Sequence, residues 1–142
     1  MRKKKLLVAL LAAVLVFAMS ATALASDIQP YRASYYLGRY SASITAQANK
    51  QMRVYFSVVA TGTMDEVGAD HITIEKKVNG SWTYDRTISH EDDGYEHMMT
   101  TNAAGHAAAV YFTGTAGVEY RATVTVYAGD STGSDTGDVT TE

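Results

Sequence analysis

Histidines and carboxylates concentrate in one short stretch of this 142-residue chain. The group comprises His90, Asp92, Asp93, Glu96 and His97. Imidazole nitrogens and carboxylate oxygens are ligands for zinc, and carboxylates combined with loop carbonyls suit calcium. The spacing matches neither an H-E-x-x-H nor a D-x-D-x-D-G pattern, and the chain has no cysteine. Two interpretations stay open: a metal-stabilised loop and a solvated acidic loop.

A second group of residues is aromatic. Trp82, the only tryptophan, and Tyr84 lie on one predicted strand, and Tyr95 follows in the next segment. Flat exposed rings on a sheet can stack on sugar rings, whereas buried rings serve cross-strand packing worth roughly 0.5–1 kcal/mol per pair. These three residues are the candidate ligand-binding residues, with Tyr55 and Tyr127 as further members of the aromatic surface.

Patterns of known catalytic sites are missing from the sequence. It contains no G-x-S-x-G elbow and no phosphate-binding glycine loop, and its four histidines are scattered at positions 71, 90, 97 and 106. The paired carboxylates of glycosidases require a cleft, and a single small β domain has few deep clefts. We therefore expect a protein that is not an enzyme and needs no cofactor.

The first 25 residues have the pattern of a secretory signal peptide. Residues 1–5 are basic, residues 6–19 are an apolar run of fourteen, and residues 23–25 form an A-x-A cleavage signal. A membrane-spanning helix needs roughly 20 apolar residues, so the run is too short to be one. We expect cleavage between residues 25 and 26 and a secreted, extracellular product that is not held in a membrane.

The charge of the mature chain is acidic. Cleavage removes four of the twelve basic residues and none of the fifteen acidic ones, which leaves a net charge of −7 over 117 residues. Such a surface argues against nucleic acid or an anionic membrane as partner and leaves an extracellular protein or a glycan. Without cysteines, stability must come from the core, and a chain of this length can bury roughly two-thirds of its unfolded surface.

Alternation of apolar and polar residues predicts strands. It is clearest over residues 117–129, where Tyr120, Val124 and Val126 alternate with polar residues, and we predict a central strand there. The same pattern predicts strands over residues 36–46, 52–60, 71–78, 81–88 and 106–113. Gly38 is expected at a bulge, and Asn79-Gly80 predicts a type I′ hairpin turn.

The segments between these strands are predicted as loops. Residues 61–69 should form a loop or one helical turn whose Met64 and Val67 cover the core, and residues 89–105 should form a long loop. The polar tail from about residue 130 should pair weakly as an edge strand near residues 136–140, or fray.

These elements predict a single all-β domain over residues 35–142, after the signal peptide (1–25) and a leader (26–34). Six to seven short strands at regular spacing are typical of an antiparallel β-sandwich of the immunoglobulin-like kind. The Gly-x-x-Tyr-x-Ala-x-Val pattern resembles the turn and tyrosine that open a late strand in such domains. By analogy, the Tyr120 hydroxyl is expected to bond back to nearby backbone.

A narrower resemblance rests on three stretches: YSASITAQANKQMRVYFSVVATGTMDEVGADHITI, NGSW and YFTGTAGVEYRATVTVYAGDSTGSD. Together they are similar to an uncharacterised family of small secreted Gram-positive bacterial proteins. That family combines a signal peptide, a strand of alternating Tyr, Ala and Ser, a TGTMD-type turn and a closing strand that ends in YAG. The resemblance covers most of the mature chain and implies one sandwich domain with no established activity, so no catalytic residue is carried over.

The sequence therefore favours a secreted, non-catalytic module that binds an extracellular protein or glycan. A structural, self-associating protein whose polar tail pairs with a neighbouring molecule is the alternative, because exposed sheet edges permit such pairing. A domain stabilised by calcium or zinc is the third hypothesis, and it depends on the acidic loop alone.

Overall fold

A computed structural model describes residues 34–142, and the predicted signal peptide and all but the last residue of the predicted leader lie outside the described residues. The described part is all-β, and its antiparallel strands form one six-stranded sheet that curls strongly into a half-barrel. The strands are β1 (Leu37–Ala46), β2 (Gln51–Val78), β3 (Ser81–Ser89), β4 (Met99–Thr113), β5 (Tyr120–Asp130) and β6 (Gly133–Thr141). Two short 3₁₀ turns, Ala48–Lys50 and Glu96–Met98, precede β2 and β4.

Strand β2 organises the sheet because its 28 residues pair with four other strands. Its first half lies between β1 and β4, and its second half lies between β5 and β3. Strand β6 pairs with the outer side of β5. The strand predicted to be central, β5, is therefore an interior strand, but β2 makes more of the pairings.

The loop predicted over residues 61–69 is wrong, since this segment is part of β2. Its glycines and acidic residues suggest a turn, but Glu66 pairs with Thr101 of β4 on one side and with Gly129 of β5 on the other. Backbone pairing from both sides at residues 66–68 holds this part of the segment extended in spite of its weak strand propensity. Met64 and Val67 are buried, as predicted, although as strand residues.

The predicted sandwich of two packed sheets also differs from the structure. The antiparallel all-β class and the number of strands are confirmed, but the six strands belong to one hydrogen-bonded sheet. The physical reason is the continuity of β2: both halves of the fold share this strand, so they curl around one core instead of separating into two layers.

Three local predictions are confirmed. The β1–β2 register shifts between Leu37 and Arg39, which places a bulge at Gly38. The β2–β3 hairpin turns through Asn79 and Gly80 with φ values of 50° and 81°, as a type I′ turn requires. At the start of β5, the Tyr120 hydroxyl accepts a hydrogen bond of 2.9 Å from the backbone N–H of Thr115.

The long loop and the polar tail are both more ordered than predicted. Strand β4 begins at Met99, so the predicted loop over residues 89–105 shrinks to the segment between Ser89 and Met99. The tail forms the edge strand β6, the first of its two predicted outcomes, and its Val139 is fully buried. Pairing along the whole length of β5 supplies the order that the polar sequence of β6 does not indicate.

The concave side of the half-barrel holds the core. Its largest fully buried side chains are Phe56, Ile72, Ile74, Met98, Val54, Val58, Val67, Val110, Val124, Val126 and Val139. Tyr120 closes one end by packing edge-on against Phe112, with ring centroids 5.5 Å apart. No helix in residues 34–142 is long and apolar enough to cross a membrane.

Strand β1 faces β6 across the inside of the curl, and the contact is made by rings against glycines. The Tyr36 hydroxyl and the Tyr40 ring lie so close to Gly133 and Gly137 that a Cβ on either glycine would come within 2.6 Å of them. Between these contacts, Asp135 accepts hydrogen bonds from the Ser34 hydroxyl and, at 3.1 Å, from the Tyr36 N–H. We call residues 34–40 the strap.

Candidate ligand-binding face

The solvent-facing side of β3, the second half of β2, β5 and β6 forms one continuous surface, which we call the outer face. Strand β3 contributes Trp82 and Tyr84 near its beginning and Thr87 near its end. Side chains two residues apart normally share a face of a strand, so Tyr84 and Thr87 should lie on opposite faces. They share one because β3 has an extra residue, Asp85, opposite the Ile74–Glu75 step of β2. This bulge brings the aromatic residues of β3 into line with its hydroxyl residues.

Trp82 is half-buried and is held by two cations. The guanidinium of Arg121 lies 4.8 Å from the Trp82 ring centroid, and the ammonium of Lys77 lies 5.4 Å from it. Arg121 also donates a hydrogen bond of 2.6 Å to Glu75, which lowers the pKa of that carboxyl and raises the pKa of the guanidinium. Lys77 is likewise tied to Glu119 at 2.8 Å. The tryptophan is therefore fixed in position on the sheet.

Tyr84 is the most accessible ring on this face. It is 62% exposed, two residues along β3 from Trp82 and directly opposite Glu75 of β2. Its ring is therefore open to contact from solvent. Tyr84 is the part of this surface that a ligand can reach without any rearrangement.

A row of four threonines crosses the outer face beside the aromatic end. In order across the sheet, it consists of Thr87, Thr73, Thr123 and Thr140. Each is directly opposite the next in the register, and neighbouring strands lie about 4.7–4.9 Å apart, so the side chains repeat at that spacing. The hydroxyls of Thr123 and Thr140 are 2.8 Å apart and hydrogen-bonded. We call this set the threonine row.

The next row is polar as well. It contains Ser89, His71, Thr125 and Asp138, again directly opposite one another across four strands. Within it, Thr125 donates a hydrogen bond of 2.6 Å to Asp138. Further along β5, the hydroxyl of Tyr127 lies over Gly129, at 2.5 Å from where a Cβ would stand. The outer face thus has rings at both ends and two rows of hydroxyl-rich side chains between them.

Comparisons with protein-family models, with curated proteins and with solved structures found no match.

Tyr95, the third predicted ligand-binding residue, does not join the other two. It is half-buried, packs against the core and stacks on His97 with ring centroids 6.4 Å apart. Trp82 and Tyr84 lie near the Asn79-Gly80 turn, whereas Tyr95 follows the opposite end of β3. Tyr55 lies on the outer side of the β1–β2–β4 half, where Arg53 covers its ring at 5.0 Å.

The first part of the predicted metal group is engaged in local contacts. The Asp92 carboxylate accepts a hydrogen bond of 2.8 Å from the backbone N–H of Ser89. His90 turns toward Asp70, with Nε2 of the histidine 3.5 Å from a carboxylate oxygen. Asp93 is exposed.

The second part of the group closes the turn before β4. Glu96 accepts a hydrogen bond of 3.0 Å from the Gly94 N–H, and its own N–H and that of Gly94 lower the pKa of its carboxyl. His97 donates from Nε2 to the Ala109 carbonyl at 3.1 Å, and His106 donates from Nε2 to the His97 carbonyl at 2.7 Å. Across residues 34–142, no group of three or more His, Cys, Asp or Glu side chains is placed to hold a metal ion.

Two surface depressions lie away from the outer face. One, of about 450 Å³, is lined by Gly38, Arg39, Val59, Ala60 and Thr61. The other, of about 270 Å³, lies where the β1–β2 connection meets the segment before β5, and its lining includes Lys50, Met52 and Gly114. Neither of these two depressions includes Trp82 or Tyr84.

The threonine row was missed by the sequence analysis. A local signal is present in Thr123-Val124-Thr125, where two hydroxyl residues flank a buried one. The row depends, however, on the register of three strand pairs and on the β3 bulge, and neither can be read from one strand alone.

Proposed function

We propose that this chain is an extracellular, non-catalytic binding module that recognises a glycan on its outer face. The observation that carries the proposal is Tyr84, a tyrosine 62% exposed beside the immobilised Trp82. The C–H groups on the flat side of a sugar ring carry partial positive charge and are attracted to the negative face of an aromatic ring. The adjacent threonine row supplies hydroxyls that donate to and accept from sugar hydroxyls.

A polymer suits this surface better than a small molecule. The outer face is the convex side of the curled sheet, and small ligands need concave sites to bury most of their surface. An extended chain can instead contact several side chains in succession along a row. On the aromatic end, Arg121 is paired with Glu75 and Lys77 with Glu119, an arrangement that suits a neutral polysaccharide.

Export is part of the proposal and rests on sequence alone. The basic, apolar and A-x-A segments of residues 1–25 support secretion, and so does the resemblance to small secreted proteins of Gram-positive bacteria. We infer an extracellular location for the mature chain, with neither nucleic acid nor membrane as its partner.

The proposal is tested by retention on insoluble polysaccharides. Mature protein, residues 26–142, is incubated with cellulose, chitin and cell-wall peptidoglycan, and the bound fraction is measured. Binding to at least one is expected, with a change in the emission of the single tryptophan. Tyr84→Ala should lose most of the retention, whereas Tyr111→Ala, which removes a 47% exposed tyrosine from β4, should retain it. Equal retention of the two variants, or none by the parent, would overturn the proposal.

A further inference from the structure

The β5–β6 hairpin is joined by a two-residue turn without positive φ angles. Asp130 and Gly133 are the last paired residues, so the turn consists of Ser131 and Thr132. Two-residue hairpins favour type I′ or II′ turns, which need positive φ. Neither Ser131 nor Thr132 has one, in contrast to the Asn79-Gly80 turn between β2 and β3. The turn is held instead by the Asp130 carboxylate, which accepts hydrogen bonds of 2.7 Å and 2.5 Å from the N–H and the hydroxyl of Thr132, and these are the bonds that opening of the turn would break.

Strand β6 also has little apolar surface of its own. The side of β6 that faces inward carries Gly133, Asp135 and Gly137 before it reaches the buried Val139 and Thr141. Gly133 and Gly137 have no side chain, and Asp135 carries a carboxylate. Most of the strand is thus without an apolar anchor in the core.

The strap replaces the anchors that β6 lacks. The Tyr36 hydroxyl lies over Gly133, and a hydrogen bond of 3.0 Å joins it to the Thr132 hydroxyl in the turn. The Tyr40 ring covers Gly137, and Asp135 is bonded to the Ser34 hydroxyl between the two contacts. Ser34 is itself fixed because its oxygen accepts a hydrogen bond of 2.8 Å from the Leu37 N–H. Contacts from the strap thus add to the β5–β6 pairing in keeping β6 in place.

From these observations we propose that β6 is an exchangeable strand through which two copies of this chain associate. The β6 of one copy pairs with β5 of the other in the native register, and the strap sets how readily exchange occurs. An identical strand is the one occupant that reproduces every β5–β6 pair and every strap contact, so exchange costs no interaction beyond the opening of the turn. In the exchanged pair, β6 in its native register still presents Thr140 to the outer face, now from the other copy, while the strap contacts lie on the opposite side of the sheet.

The test uses engineered disulfides, which report directly on which chain supplies β6. The chain has no cysteine, and Thr123 and Thr140 are directly opposite on β5 and β6 with hydroxyls 2.8 Å apart. In a Thr123→Cys/Thr140→Cys variant, oxidation joins the cysteines within one chain when β6 is native and between two chains when β6 is exchanged. The matched control is Thr73→Cys/Thr87→Cys, a directly opposite pair on β2 and β3 across the well-formed turn.

The measurement is the fraction of covalent dimer on a non-reducing gel after oxidation at increasing protein concentration. We expect dimer in the β5–β6 pair at high concentration. Because the exchanged dimer keeps every strap contact, Tyr36→Ala should leave the final dimer fraction unchanged but make the dimer form roughly tenfold faster, the change that a loss of about 1.4 kcal/mol from the closed monomer relative to the opened chain produces. The β2–β3 control should stay within one chain throughout. If Tyr36→Ala prevents folding, as circular dichroism would show, Ser34→Ala, which removes the strap hydroxyl bonded to Asp135, is the second strap variant. Intramolecular disulfide at every concentration, with and without the strap variant, or equal dimer in the control pair, would overturn the proposal.

Discussion

The ring of Tyr40 lies against the backbone of Gly137, so closely that a Cβ on this glycine would be 2.6 Å from Cζ and Oη of the ring. Carbon atoms in favourable contact lie about 3.5–4.0 Å apart, so a side chain at position 137 cannot coexist with the ring in its place. The contact joins β1 to β6, which the sheet order separates by β2 and β5. It therefore closes the half-barrel without any backbone pairing between the two strands.

Gly137→Ala should lower the free energy of unfolding by roughly 1–3 kcal/mol, the usual cost of forcing extra volume into a packed site. Urea unfolding followed by circular dichroism measures it. Gly62→Ala is the control, because a Cβ at that position would have no atom within 4 Å, and its effect should stay within about 0.5 kcal/mol. Equal destabilisation by the two substitutions would mean that the Tyr40 contact does not limit position 137.

Tyr120→Phe should destabilise the protein by roughly 0.5–1.5 kcal/mol, since it removes the acceptor of the Thr115 N–H but keeps the ring packed on Phe112. Chemical denaturation gives the difference. Tyr111→Phe removes the hydroxyl of an exposed tyrosine and should have no measurable effect. An unchanged stability of Tyr120→Phe would show that water replaces the hydroxyl at Thr115 without cost.

Stability should decrease below about pH 4, in part because of Asp135. The Ser34 hydroxyl and the Tyr36 N–H lower the pKa of this carboxyl in the folded state. A lowered folded-state pKa means that the carboxylate stabilises the fold at pH values above the unfolded pKa of roughly 3.9, and that this stabilisation is lost as the pH falls through the folded pKa.

Urea midpoints measured from pH 7 to pH 2.5 test the role of Asp135. The decrease should be shallower in Asp135→Asn and in Ser34→Ala than in the parent protein. Thr136→Ala, at the exposed neighbouring position on β6, should leave the slope as it is. Parallel pH profiles for the parent and Asp135→Asn would show that other carboxylates account for the acid sensitivity.

Arg121→Ala should shift the emission of Trp82 to longer wavelength. The guanidinium 4.8 Å from the ring is removed, and water takes its place. Loss of the cation–π contact and of the partly exposed pair with Glu75 should also lower the free energy of unfolding slightly. Arg53→Ala is the control. It removes a guanidinium that lies 5.0 Å from the Tyr55 ring centroid, and it should leave the tryptophan emission unchanged.

Calcium, zinc and EDTA should leave the melting temperature of residues 26–142 unchanged. Asp92, Glu96 and His97 are committed to backbone partners, so an ion would have to displace those hydrogen bonds. A bound ion at 100 times its Kd would add about 2.7 kcal/mol to the free energy of unfolding. A clear rise with either ion, lost in Asp92→Asn, would restore the metal-stabilised domain as the better hypothesis.

Part of the candidate site could be predicted and part could not. Trp82 and Tyr84 could be placed on one side of one strand because side-chain alternation is local. The separation of Tyr95 could not, since its position depends on the core that it packs against. The threonine row needs three registers at once, and a register is fixed by pairing between strands that are distant in sequence.

The amino-acid sequence alone determined the features that depend on neighbours along the chain. Alternation specified β5, Asn79-Gly80 specified the β2–β3 turn, and Gly38 specified the β1 bulge, because backbone dihedral preferences and side-chain period act over a few residues.

Tertiary structure alone decided whether weak segments became strands and how many sheets resulted. Residues 61–69 are extended because Glu66 pairs on both sides, and that continuity makes one curled sheet where two layers were expected. Strand β6 is ordered because it pairs along β5 and because Tyr36 and Tyr40 cover its glycines. In each case the stabilising contacts come from residues far away in the sequence, and these contacts outweigh a local preference that is small by comparison.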